Sequence, residues 1–214
     1  SQNRIYDNEF NIVINAGSES TASPTIKNNL IYEITPGSER VSYGIEIGGA
    51  GTVSPKIYHN TIAGGLYDGI YIDGSLHAPD IKYNIITGFG QFGIENYEVV
   101  VSTGGYPVID YNDVWGNTGG TYDNCVDPLP GGNNISNDPK YVDSANWNYT
   151  LQGISPCINA IPVGNPPNDP VIDDIAGITR PYGSGYDMGC YENTSSIVTT
   201  TDASEISSIG AVTG

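Results

Sequence analysis

Short runs of β-branched residues alternate with polar and glycine-containing punctuation along the first half of the chain. Four runs share one pattern of proline, isoleucine and asparagine: PTIKNNLI at residue 24, PKIYHNTI at 55, PDIKYNII at 79 and PVIDYNDV at 107. A second run precedes each of the four: NIVIN at 11, YGIEI at 43, DGIYI at 68 and FGIEN at 92. Short β-branched runs bounded by turn residues are typical of strands. The pattern predicts repeated pairs of strands with almost no helix.

The spacing of the repeats predicts a solenoid. Successive aligned asparagines are 21, 31, 24 and 28 residues apart, and they are Asn8, Asn29, Asn60, Asn84 and Asn112. A period of this length without helices indicates stacked coils, in which equivalent strands pair in parallel about 4.8 Å apart. We expect two inward isoleucine stacks, Ile26, Ile57, Ile81 and Ile109, and Ile45, Ile70 and Ile94. We also expect Asn29, Asn60, Asn84 and Asn112 to be structural, both as left-handed turn residues and as an amide stack.

Composition agrees with this all-β prediction and restricts the partners. The chain has 27 Ile but 5 Leu, and its 28 Gly and 14 Pro are spread along it. Its net charge of −17 argues against nucleic acid or an anionic membrane as a partner. No apolar run approaches the ~20 residues of a membrane span. Neutral glycans and divalent cations stay open as partners.

Residues 4–115 resemble the right-handed parallel β-helix proteins of the pectate-lyase-like group, on the repeated Ile-x-x-Asn-x-Ile motif. Three later segments are similar to the closing region of bacterial surface β-helix proteins called choice-of-anchor Q. These segments are NISNDPKYVD, NYTLQGISPCINA and DDIAGITRPYGSGYDMGCYE, within residues 134–192. The resemblance implies an exported, β-helical and often cell-wall-associated protein, and it implies no defined reaction.

We divide the chain into β-helix coils (1–123), a closing region (124–193) that caps the stack, and a Ser/Thr-rich extension (194–214). In the closing region we expect Asp174 and Asp187 to hold the Arg180 guanidinium as a structural clamp. The three cysteines allow one disulfide, for which we favour Cys157 with Cys190 over Cys125 with Cys157.

The two ends of the chain raise a question of assembly. The extension carries enough β-branched residues to add as a strand, and the first coil has no preceding cap. Either earlier coils lie outside this sequence, or a neighbouring protomer covers the open edge in a head-to-tail contact.

One outward column of the predicted strands could carry chemistry. Strand alternation places Glu46, Tyr71 and Glu95 in this column, with Asp73 and Tyr97 beside it. Glu46 and Glu95 are two coils apart, roughly 9.6 Å between Cα atoms at about 4.8 Å per coil, which suits the carboxyl pair of an inverting glycosidase. Tyr71 and Tyr97 would contact a glycan.

Two histidines are candidate bases for such an enzyme. His77 lies in a turn near Asp73 and is the better candidate. His59 is expected to face solvent on a turn. A calcium site is a further candidate, because NPPNDPVIDD supplies hard oxygen ligands in one short loop: Asn168, Asp169, Asp173 and Asp174.

The sequence therefore favours an extracellular or cell-surface structural or adhesive β-helix module that contacts glycans and self-associates. The alternative is a polysaccharide-acting enzyme, either a lyase or an inverting glycoside hydrolase, with catalytic residues among Glu46, Glu95, Asp73 and His77. The fold alone does not choose between these functions.

Overall fold

The computed structural model of the chain describes residues 2–8, 10–34, 43–74, 76–97, 106–125, 133–164 and 171–195. These residues form an all-β solenoid of about four turns. The predicted parallel β-helix is confirmed. No described helix is long and apolar enough to cross a membrane. The extension that we expected to donate a strand falls outside the described residues from residue 196 onward.

Sixteen strands belong to the coils. They are β1 (Arg4–Tyr6), β2 (Phe10–Asn15), β3 (Thr21–Ala22), β4 (Thr25–Lys27), β5 (Leu30–Tyr32), β6 (Tyr43–Gly48), β7 (Thr52–Val53), β8 (Lys56–Tyr58), β9 (Thr61–Gly65), β10 (Ile70–Ile72), β11 (Asp80–Lys82), β12 (Ile85–Phe89), β13 (Phe92–Asn96), β14 (Val108–Asp110), β15 (Asp113–Trp115) and β16 (Gly120–Asp123). The later elements are β17 (Tyr141–Asp143), the 3₁₀ turn η1 (Ser144–Asn146), β18 (Asn148–Leu151), β19 (Ile161–Pro162) and β20 (Gly185–Tyr186).

The coil strands stack into three main parallel sheets. Sheet 1 has the order β1-β5-β9-β12-β15, sheet 2 the order β2-β6-β10-β13-β16, and sheet 3 the order β4-β8-β11-β14. A short fourth pair, β3 with β7, is also parallel. The pairs β17–β18 and β19–β20 are antiparallel and lie outside the coils.

The predicted isoleucine stacks are confirmed. Ile70 pairs in register with Ile45 on one side and with Ile94 on the other, and all three are completely buried. The sheet 3 stack runs in register through Ile26, Ile57, Ile81 and Ile109. Because β-branched side chains pack well on a pleated surface, each fully buried isoleucine stabilises the fold by about 1.5–3 kcal/mol.

The predicted amide stack exists, but its ends differ from the prediction. Each side-chain oxygen accepts the backbone N–H of the preceding ladder asparagine at 2.9–3.2 Å and its side-chain amide at 2.9–3.1 Å. The ladder comprises Asn3, Asn29, Asn60, Asn84, Asn112 and Asn134. Asn8 is not a member, because Ile5 pairs with Ile31 of sheet 1 rather than with the sheet 3 stack.

A left-handed residue precedes four of the six ladder asparagines, and the asparagines themselves are not left-handed. The residues with positive φ at this corner are Asn28 (59°), His59 (51°), Tyr83 (64°) and Tyr111 (53°). This corrects our expectation for the asparagines. None of the ladder asparagines has a positive φ, and their side-chain amides bridge the coils.

Residues 136–164 and 171–195, here called the strap, pack along the side of the solenoid. The Gly189 N–H donates to the Tyr83 carbonyl at 2.8 Å, and Gln2 Nε2 donates to the Asp174 carbonyl at 2.8 Å. The strap thus reaches from the later coils back to the first one. We had expected a cap over the end of the stack. The lateral position follows from packing, since strap residues such as Met188 cover the corner tyrosines.

A buried ion pair fixes the strap, with a partner that the sequence did not indicate. Arg180 Nη1 donates to Glu192 Oε2 at 2.9 Å and to the Asp187 backbone carbonyl at 3.1 Å. Arg180 Nη2 donates to the Gly189 carbonyl at 2.9 Å. Both charged side chains of the pair are inaccessible to solvent. Glu192, rather than the carboxylates of Asp174 and Asp187, is therefore the salt-bridge partner of Arg180.

Asp174 and Asp187 instead organise backbone turns. Asp174 Oδ1 accepts the N–H groups of Ala176 and Ile178 at 2.7 and 2.8 Å. Asp187 accepts the N–H groups of Asn159 and Asn193, each at 2.7 Å. Both residues keep a structural role, because carboxylates that satisfy several N–H groups hold irregular chain in place.

The expected disulfide is not formed. Cys125, Cys157 and Cys190 are all free thiols. Cys157 packs in one apolar cluster of the strap and donates its thiol to Asp113 Oδ2 at 3.0 Å. Cys190 lies in a separate cluster with Leu30. Because Cys157 and Cys190 lie in different clusters, their thiols do not pair, and the predicted disulfide is wrong.

Asp113 makes stability depend on pH. Burial is the main cause that raises its pKa from 3.8 to about 6. Between these two values the folded state binds more protons than the unfolded state, so stability falls as pH rises. Above pH 6 the full penalty applies, about 3 kcal/mol at 1.4 kcal/mol for each pKa unit. About 2 kcal/mol of this penalty falls between pH 4.5 and 7.5, so we expect Asp113→Asn to lose about 2 kcal/mol less than wild type over this range in urea denaturation.

The exposed Asp143, whose Oδ2 accepts the Asn146 side-chain amide at 2.8 Å, provides the matched control. Asp143→Asn should leave the pH dependence of stability close to that of wild type. Parallel pH profiles for wild type and Asp113→Asn would contradict the assignment to Asp113.

Candidate functional site

The outer face of sheet 2 carries the predicted column. Tyr71 of β10 pairs with Glu46 of β6 on one side and with Glu95 of β13 on the other. Glu95 in turn pairs with Asp123 of β16. The in-register column Glu46–Tyr71–Glu95 is therefore confirmed as an arrangement, and Asp123 extends it by one coil.

Asp68 joins this face although the sequence analysis did not select it. Its side chain is 1% exposed, and its Oδ1 accepts the Phe92 N–H at 2.7 Å. The Asp68 and Glu95 side chains lie close enough to interact, and Asp68 Oδ2 has no other hydrogen-bond partner in the described part of the chain. Two carboxyl groups can share a hydrogen bond when one of them is protonated. Asp68 and Glu95 thus form an acid pair.

Burial and neighbouring charge keep the proton on this pair. Burial is the largest cause that raises the pKa of Glu95 to about 7, and the interaction with Asp68 and the charge of Asp123 add to it. Burial also raises the pKa of Asp68. The pKa of Glu46 is raised by burial and by the charge of Asp73. Near neutral pH the face offers one proton donor, Glu95, among carboxylate acceptors.

Aromatic rings form a ladder beside the carboxyl groups. The Tyr43 and Tyr71 rings stack with centroids 4.6 Å apart, and Phe10 and Tyr97 extend the ladder at 6.0 and 5.9 Å. Tyr71 lies between two other rings, so a sugar cannot stack on it without displacing one of them. The terminal rings are the accessible ones, because Tyr97 is 59% exposed and Phe10 41%.

Glycines create the geometry that brings Asp68 to the face. A Cβ on Gly69 would lie 2.3 Å from the Ile86 side chain, and one on Gly93 2.1 Å from that of Val114. The inward side of the chain therefore has no room for a side chain at these positions. The preceding residues face outward, and simple alternation from the isoleucines is broken. The repeated Gly-Ile pairs were the signal that could have revealed Asp68.

The two histidines lie away from solvent. His59, expected on an exposed turn, is completely buried and stacks on Tyr83 with centroids 5.0 Å apart. Burial and the charge of Arg180 lower the pKa of His59 well below its usual value, so it is neutral. His77 is 2% exposed, and neither ring nitrogen has a hydrogen-bond partner in the described part of the chain. Because both histidines are buried, neither imidazole is accessible to a substrate as a catalytic base.

The structure describes two of the four predicted calcium ligands, Asp173 and Asp174. Asp173 Oδ1 accepts the Thr179 hydroxyl at 3.1 Å, and Asp174 is occupied by backbone N–H groups. Asn168 and Asp169 lie outside the described residues. Among the residues that are described, no group of three or more acidic, histidine or cysteine side chains is arranged to hold a metal.

Comparison with family models, curated proteins and solved structures gives no match to this chain. The class of the protein therefore follows from its architecture: it is a β-solenoid with an aromatic and carboxyl face on sheet 2.

Proposed function

We propose that this chain is an extracellular adhesive module that binds glycan chains through the outer face of sheet 2. The observation that carries the proposal is the aromatic ladder, which ends in the exposed Tyr97 and runs beside the acid pair. Aromatic rings offer an apolar face to sugar rings, and fixed carboxyl groups bind sugar hydroxyls. A location outside the cell is part of this proposal and rests on sequence motifs within residues 134–192 that resemble those of bacterial surface proteins.

The charge of the chain selects the kind of glycan. A net charge of −17 repels polyuronates and sulfated polymers. The carboxyl groups of the face accept hydrogen bonds, and protonated Glu95 donates one. Neutral polysaccharides suit this face, because their many hydroxyl groups can both donate hydrogen bonds to the carboxylates and accept one from Glu95.

Tyr97→Ala is expected to weaken binding to a neutral polysaccharide at least about fivefold, which corresponds to about 1 kcal/mol for one lost ring contact. The measurement is affinity electrophoresis through gels containing neutral glucan, mannan or xylan. Tyr182→Ala is the control, since Tyr182 is similarly exposed (48%) but lies on the strap. Equal retardation of wild type and Tyr97→Ala on every retarding polymer, or no retardation of wild type, counts against the proposal.

The raised pKa of Glu95, about 7, favours a second candidate function, that of an inverting glycoside hydrolase. Glu46 and Glu95 are two coils apart, roughly 9.6 Å between Cα atoms, near the upper end of the ~6.5–9.5 Å expected for carboxyl groups that admit a water. In this mechanism Glu46 would take a proton from the attacking water. Glu95 would give its proton to the leaving glycosidic oxygen.

The same gels and variants separate the two functions. A hydrolase would release reducing ends from a retarding polymer, and Glu95→Gln would lower this release at least about a hundredfold while keeping the binding. Binding without release of reducing ends excludes the hydrolase and leaves the adhesive module.

A further inference from the structure

A second concave surface lies on sheet 1, away from the acid pair. The outward column of this sheet runs in register through Tyr6, Tyr32, Ala63, Thr87 and Trp115. Two small side chains thus separate Tyr32 from Trp115. At about 4.8 Å per coil, they leave a gap between the aromatic residues on either side.

The strap turns this gap into a groove. Tyr141 of β17, Tyr149 of β18 and the intervening turn η1 form its outer wall. Gly64 and Gly88 lie in its floor with φ of 81° and 77°, a left-handed conformation that glycine adopts without strain. The groove has a volume of about 330 Å³. This volume lies within the range of small-molecule sites.

The side chains that line the groove are uncharged, although the Glu33 carboxylate lies close to Gly64 and Tyr149 of the lining. The polar groups of the lining are hydroxyls, including Ser144 on η1 and the pair formed by Thr87 Oγ1 and the Tyr141 hydroxyl, 3.3 Å apart. Trp115 lines one end and is 39% exposed. An aromatic ring, a floor of glycines and small side chains, and hydroxyls on the opposite wall match a ligand with one apolar face and a hydroxylated rim.

We propose that this groove binds one uncharged pyranose unit of a glycan, with the apolar face of the sugar ring against Trp115 and its hydroxyls toward Tyr141 and Ser144. The lining supplies no cation for a uronate, so it favours a neutral ring over an anionic one. This site is separate from the sheet 2 face and does not depend on the function proposed for that face.

Trp115 itself can report occupancy. The chain has two tryptophans, Trp115 and Trp147. A Trp147→Phe variant therefore carries Trp115 as its sole tryptophan. We expect its emission to change saturably during titration with cellotetraose, mannotetraose or xylotetraose, with a Kd at or below about 1 mM for at least one of them.

Blocking the groove provides the test of position. Ala145 lines the groove on η1, and the next residue, Asn146, is on the same turn but does not line it. In the Trp147→Phe background, Ala145→Tyr should weaken the bound tetrasaccharide at least about tenfold. Asn146→Tyr should leave the affinity within about twofold, as should Tyr97→Ala, which alters only the sheet 2 face.

Several results would overturn the proposal. One is the lack of a saturable change with all three sugars, and another is an equal loss of affinity in Ala145→Tyr and Asn146→Tyr. Tighter binding of trigalacturonate than of the neutral sugars would exclude a neutral-ring site. Saturable binding of a hexaproline peptide in place of the sugars would assign the groove to a peptide partner instead.

Discussion

Replacing Asn84 by alanine is expected to destabilise the fold by about 2–6 kcal/mol, because it interrupts the amide ladder in a fully buried position. Asn84 Oδ1 accepts the Asn60 N–H at 2.9 Å, and Asn84 Nδ2 donates to the Ile57 carbonyl at 2.8 Å. Alanine removes both the acceptor of the Asn60 N–H and the donor to the Ile57 carbonyl. A buried backbone group without a partner costs about 1–3 kcal/mol, and two are created here.

Asn8→Ala is the matched control for the ladder. The sequence alignment placed Asn8 with the ladder asparagines, but the structure exposes it, with its amide donating to Tyr6 and Asn11. Its removal should change stability by less than about 0.5 kcal/mol. The measurement is the free energy of unfolding of both variants by urea denaturation. A loss below about 1 kcal/mol for Asn84→Ala, or equal losses for the two variants, would refute the ladder as a main source of stability.

Arg180→Met is expected to cost about 3–5 kcal/mol, because it leaves the Glu192 carboxylate buried without its cation. Since Arg180 also binds two backbone carbonyls of the strap, the variant should expose the strap to proteolysis before the coils unfold. The measurements are urea denaturation and limited proteolysis with mass mapping of the cleavage sites.

Two further variants isolate the charge effect. Adding Glu192→Gln to Arg180→Met removes the unpaired carboxylate, so the double variant should recover a large part of the lost stability. Lys140→Met breaks an exposed pair with Asp138 and should cost no more than about 1 kcal/mol. Equal losses in Lys140→Met and Arg180→Met would show that burial of the pair has no role.

The coils were predictable because their information is local and repeated. The side chain that recurs in each repeat lies directly above its equivalents, so Ile45, Ile70 and Ile94 identified both the stack and the outward column between Glu46 and Glu95. The first coil was misaligned at Asn8, since an Ile-x-x-Asn match without the preceding proline occurs by chance in so isoleucine-rich a chain.

The strap and part of the candidate site were not predictable, because their contacts are distant in sequence and occur once. Nothing near Arg180 distinguishes Glu192 from Asp187 as its ion-pair partner, and only the folded chain brings Cys157 to Asp113. Asp68 was missed for a local reason. The steric limit at Gly69 breaks the alternation on which the outward assignment depended.

The glycan-binding face is tested most directly by NMR of the chain with ¹³C-labelled tyrosine rings, titrated with the neutral oligosaccharide of a retarding polymer. The proposed function predicts that the ring signals of Tyr97 and Tyr71 shift together and saturate, while the signal of Tyr182 stays in place. Unchanged Tyr97 and Tyr71 signals at saturating sugar would contradict it. Shifts confined to Tyr141 and Tyr149 would place all binding in the sheet 1 groove and would equally reject the sheet 2 face.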